Sequence, residues 1–86
     1  MASSVTVESY RTIIKVGTKR LFLIHDDLQY IFEAFEGTVY EKRAEVRKSI
    51  RNRMINTFGE EVYTSVFREC EWDEVNNRPL LILVSN

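Results

Sequence analysis

Apolar positions change period along this chain, and the changes divide it into elements. From Val5 to Val16 the chain is rich in β-branched and aromatic residues, with Val5 and Val7 alternating and then Tyr10, Thr12, Ile14 and Val16 on one parity. This predicts a first strand over 5–16, with a bulge or late start where the parity slips. Gly17-Thr18 and the run Lys19 to Ile24 follow, so the pair reads as an antiparallel hairpin turning near Gly17.

Asp26 with Gln29 three positions later has the form of a capping box, and Leu28, Ile31, Phe32 and Phe35 recur at helical spacing. A first helix is expected over about 27–36, closed by Gly37 in the left-handed conformation. Thr38 and Glu41 repeat the capping pattern at once, which predicts a second helix running to about Phe58 and stopped by Gly59. Val39, Val46, Ile50 and Met54 lie in one narrow arc of that helix and should face the core.

Beyond Gly59, the acidic pair Glu60-Glu61 suits a helix start, and Val62, Tyr63, Val66, Phe67 and Cys70 follow at helical spacing. The alternation of Val62, Thr64 and Val66 fits a strand less well, so a third helix is expected with Cys70 packed on its apolar face. Trp72 to Val75 reads as a short strand and Asn76-Asn77 as a turn. Pro79 then opens a strand over Leu80 to Val84, whose unbroken apolar run predicts cover on both faces inside the sheet. The expected class is α+β, a single domain over 1–86 in the order β-β-α-α-α-(β)-β, because 86 residues cannot be divided and still bury two cores.

Composition narrows the function more than it names it. Twelve basic and thirteen acidic residues leave a formal charge of −1, so no global field draws the chain to nucleic acid. One cysteine excludes an internal disulfide, and neither an export signal nor an apolar run of membrane length is present, so an intracellular, cytoplasmic setting is expected without membrane contact. No glycine-rich phosphate loop occurs, and His25-Asp26-Asp27 is not read as a metal site, because a metal takes three or four ligands in a set geometry and no second His or Cys cluster exists. His25 is therefore read as a residue of the strand-to-helix junction, and Cys70 as core in preference to a nucleophile paired with it. No catalytic residue, metal or cofactor is expected.

Two charged segments remain. Lys42, Arg43, Arg47, Lys48, Arg51 and Arg53 occupy twelve positions of the second helix, opposed there only by Glu45, and Arg43, Arg47 and Arg51 form a ridge at i, i+4 spacing. The ridge borders the apolar arc, so Arg43 and Arg47 should lay their stems over the edge of the core. Its counterpart is acidic: Glu69, Glu71, Asp73 and Glu74 surround Trp72, either as a binding hot spot with a polar rim or with the tryptophan turned inward along an edge strand, the orientation favoured. Left alone, the basic ridge would be a solvated face, paired in part with the acidic segment folded back.

A non-enzymatic interaction protein that docks on another protein through the basic helix is the leading expectation, with the acidic segment as a second contact. Nucleic-acid binding along the same helix is the alternative, and pairing of the two patches between copies leaves homo-oligomers open. The make-up is that of small regulators and inhibitors, including the accessory proteins of viruses and phages.

Overall fold

The computed structural model describes residues 2–83, with the side chains of Glu69, Ile82 and Leu83 outside the description. Its elements run β1 (Ser3–Val7), β2 (Arg11–Val16), β3 (Lys19–Ile24), α1 (His25–Ala34), α2 (Val39–Phe58), α3 (Glu60–Val66), β4 (Phe67–Asp73) and β5 (Arg78–Leu83). The α+β class, the hairpin, the three helices and the C-terminal strands are as expected. The first strand differs: the slip in parity is a reversal, not a bulge. The Glu8 amide bonds the Arg11 carbonyl at 2.8 Å and Arg11 Nε holds Glu8 Oε1 at 2.6 Å, so β1 folds back antiparallel on β2.

β1, β2 and β3 form one antiparallel sheet in sequence order. Thr12, Ile14 and Val16 face inward with Leu21 and Leu23, while Arg11 and Phe22 lie on the outer face. Gly17, at φ +62°, supplies the left-handed residue that this tight turn needs. Against the inner face lies α2, which contributes Val46, Ile50, Met54 and Phe58 to the core, each under a tenth exposed. Its predicted capping box is present: Thr38 Oγ1 accepts from the Glu41 amide at 3.2 Å, and Glu41 Oε1 accepts from the Thr38 amide at 3.1 Å. Hydrogen bonds to the Glu41 carboxyl from the Thr38 backbone and side chain hold it below its ordinary pKa. Val39 leaves the expected arc and is exposed, because the helix reaches the sheet only from its second turn.

α1 starts and ends differently from expectation. The chain passes straight from β3 into the helix, Ile24 is the cap residue and no side chain caps it; Gln29 instead bonds Glu33. At the other end Gly37 is not left-handed. A Cβ there would lie 3.1 Å from the Phe35 ring and 3.2 Å from Glu41, so glycine is kept for room. The carbonyls left open by the helix end are taken by Lys42, whose Nζ donates to those of Phe32 and Phe35.

The third helix stops at Val66, four residues before Cys70, and the chain extends into β4. β4 and β5 form a separate two-stranded antiparallel sheet, so β5 is not enclosed between strands. Pro79 is buried and Leu81 packs on the core, whereas Leu80 turns outward. Val84, expected to end this strand, lies outside the described residues. Substituting Ile50→Ala should cost about 2 to 5 kcal/mol in chemical denaturation, while Val39→Ala, on the same nominal arc, should stay within about 0.5 kcal/mol.

Candidate functional site

The basic ridge and the acidic segment meet within one molecule. Arg43 places its guanidinium 5.1 Å from the centroid of the Trp72 ring and donates from Nη2 to Glu74 Oε2 at 2.8 Å. Trp72 also stacks on Phe32 of α1 at 5.7 Å between centroids, and its Nε1–H donates to Asn77 Oδ1 at 3.0 Å. The tryptophan is thus turned inward and half-buried, as the edge-strand reading expected, and its ring is engaged inside the chain.

Three of the six cations of α2 have internal work. Lys42 caps α1, Arg43 holds the β4–β5 hairpin, and Arg53 Nη2 donates to the Phe22 carbonyl of the edge strand β3 at 2.9 Å. Arg47 is half-buried, its Nε enclosed without a hydrogen-bond partner among the described residues. Lys48 and Arg51 stay exposed, Arg51 lying 5.9 Å from the centroid of the Tyr63 ring. Arg43 and Arg47 are thus half-buried, as expected, and the continuous solvent-facing ridge does not form.

What remains open gathers elsewhere. α2, α3 and β4 enclose a groove of about 230 Å³. Ile50, Met54, Tyr63, Phe67 and Leu81 give it an apolar floor, and Arg47, Lys48, Arg51 and Arg68 stand around it. Arg68 had no place in the sequence reading; only the turn of the chain into β4 brings it opposite α2. Cys70 lines the same groove, half-buried on a strand and not in the core of a helix. Burial pushes its thiol up and the neighbouring Arg47 draws it only partly back, the reverse of what a thiolate nucleophile needs.

Of the acidic segment, Glu71 and Glu74 are exposed, and the Glu69 side chain lies outside the described residues. Asp73 closes the β4–β5 turn. It accepts from the amides of Val75 and Asn76 at 3.0 and 3.2 Å and from Asn76 Nδ2 at 2.8 Å, which holds its carboxyl below the usual range.

His25 belongs to a second cleft, of about 170 Å³, between the start of α1, the Ser9 turn and the tip of the hairpin. Arg78 Nη1 lies 2.8 Å from His25 Nδ1, and a guanidinium only donates, so Nδ1 is unprotonated. Nε2–H therefore donates to Thr12 Oγ1 at 2.8 Å, and the Ser9 carbonyl lies farther off, 3.4 Å from Nδ1. Burial lowers the His25 pKa and Arg78 adds to that, against the Ser9 carbonyl and Asp26. His25 and Cys70 line different cavities. No group of three or more His, Cys, Asp or Glu side chains placed to hold a metal occurs among the described residues, nor any helix long and apolar enough to cross a membrane.

No protein-family model matches the chain, and neither does any curated protein or solved structure.

The neutral His25 carries a pH dependence whose sign follows from its lowered pKa. Above the ordinary imidazole value of 6.5 both folded and unfolded chains hold it neutral; below that the unfolded chain takes up the proton first, so stability is lost as pH falls toward the folded-state value. Denaturation midpoints should fall between about pH 7.5 and about pH 5.5, the span in which imidazole titrates. The fall should flatten in His25→Gln, since the lowered carboxyl groups of Asp73 and Glu41 titrate further to the acid side.

Proposed function

We propose that this chain is a non-enzymatic docking domain that holds an acidic, partly apolar segment of a protein in the groove between α2, α3 and β4. The observation that carries the reading is the make-up of that groove, an apolar floor with Arg47, Lys48, Arg51 and Arg68 around it. An apolar side chain gains by leaving water for such a floor, while carboxylates beside it meet cations at the rim, where complementary charge gives orientation and rate more than raw affinity. A domain of this kind acts by occupying a surface of its partner, as a small regulator or inhibitor does. Its one cysteine, left free, suits a reducing intracellular setting.

The same geometry weighs against nucleic acid as the ligand. A phosphate backbone is tracked by a row of open cations. Here Lys42, Arg43 and Arg53 are drawn into internal bonds, leaving an enclosed patch in place of a track. The chemistry of His25 and Cys70 also favours binding over catalysis, since both imidazole nitrogens are engaged and the thiol is raised.

Fluorescence anisotropy tests this with a labelled synthetic peptide of glutamates around a single leucine, and with labelled duplex and single-stranded oligonucleotides, at low and moderate salt. The peptide should bind, and the combined Lys48→Glu, Arg51→Glu and Arg68→Glu variant should bind it at least about tenfold more weakly, a loss of about 1.4 kcal/mol. Absence of peptide binding overturns the proposal. So does tight oligonucleotide binding that falls steeply with salt and vanishes in the same variant, which would assign the groove to phosphates.

A further inference from the structure

The tip of the β4–β5 hairpin has the chemistry that the groove lacks. Val75, at its apex, is 91% exposed, an uncommon position for a branched apolar residue in a turn. Exposed Glu74 adjoins it, while Glu71 and its strand partner Leu80, 37% exposed, face outward farther back along the hairpin. Glu74 gives one oxygen to Arg43 but keeps 72% of its side chain in solvent.

The apex is also held rigid. Asp73 accepts three hydrogen bonds across the turn, and Asn77, in the left-handed region at φ +51°, accepts from the Trp72 indole. Presenting Val75 to a binding site thus costs little further ordering, the condition under which a small contact yields affinity.

We infer that the occupant of the cationic groove is the hairpin tip of a second copy of this chain, in a reciprocal two-fold pair. The inference rests on the groove reading and adds the partner to it. Apolar Val75 meets the apolar floor, and Glu74 beside it meets the cations around that floor, Arg47, Lys48, Arg51 and Arg68.

A chain cannot fill its own groove. Phe67 and Arg68 at the groove open β4 and Val75 lies in the turn beyond its other end, and the strand between them, at about 3.3 Å per residue, keeps them apart. Two strands laid side by side and antiparallel place each tip at the other's groove. Both contacts are then equivalent by symmetry, so the assembly closes as a dimer instead of growing into a filament. Two contacts of this size fall toward the small end of specific interfaces, so the pair should be weak and dependent on concentration and salt.

Sedimentation velocity of the full chain, from low micromolar to near-millimolar concentration, reads the pairing. The average mass should move toward two chains at low salt and return toward one at high salt. Val75→Lys and Arg51→Glu should each remove the association, the first placing a cation at the cationic groove and the second an acid at the acidic tip.

Mixing the two variants in equal amounts should restore it. One contact of the mixed pair is native and the other joins the new lysine to the new glutamate, a recovery that damage to the fold could not produce. A wild-type chain that stays single at near-millimolar concentration overturns the inference, and so does a dimer indifferent to both substitutions or a mixture that fails to recover. Titrating the labelled acidic peptide into the same samples separates the two claims. A single chain that binds the peptide leaves the groove reading standing without the second copy, and one that does not bind it removes both.

Discussion

Trp72 of β4, Phe32 of α1 and Arg43 of α2 meet at one point, and the placement of the C-terminal hairpin depends on that meeting. Among the described residues no strand of one sheet pairs with a strand of the other, so side chains hold the hairpin against the rest of the fold. The indole offers a face for Phe32 and for the Arg43 guanidinium and directs its N–H to Asn77, tying both helices to the turn that closes the hairpin. Arg43 is four-fifths buried, its Nε without a partner among the described residues, and Glu74 offsets part of the cost of removing its charge from water. A cation over a partly desolvated indole contributes on the order of 1 kcal/mol. Direction matters here more than size: an alkyl side chain in its place would fill space without fixing the ring and the turn together.

This anchoring decides which charges remain open. α2 faces the three-stranded sheet with Val46, Ile50, Met54 and Phe58, and its arginines border that face where the hairpin packs. With Arg43 spent on the hairpin, Lys42 on α1 and Arg53 on β3, positive charge concentrates at Arg47, Lys48 and Arg51. β4, held against α2, delivers Arg68 and Phe67 to complete the groove. Fold and candidate site thus share one cause, since the hairpin that neutralises one end of the ridge walls in the other.

Legibility in the sequence follows from how local each signal is. α2 could be bounded closely because Thr38, Glu41 and Gly59 act within one turn of its ends. The reversal at Glu8-Ser9-Tyr10 has no glycine or proline to mark it, and only the slipped parity betrays it. Nothing marks the passage from α3 to β4 either. Val62, Tyr63, Val66 and Phe67 satisfy a helical period, and the strand begins at Phe67 because pairing with β5 supplies bonds that a longer helix would forgo. The snorkelling of Arg43 was readable from the wheel, but its partners Trp72 and Glu74 lie about thirty positions away. That distance in sequence is why a ridge that looked open is largely closed.

Amide hydrogen exchange in Arg43→Met compared with Lys48→Met tests the central claim, that the Arg43 contact holds the hairpin in place. The methionines retain most of the stem volume, so packing is largely kept and only the charge and its donors are lost. Protection of the β4 and β5 amides should fall in Arg43→Met while the β1–β3 sheet keeps its own, and Lys48→Met should match the parent chain throughout. Equal protection of β4 and β5 in all three proteins would contradict the account, because the hairpin would then be held without the arginine.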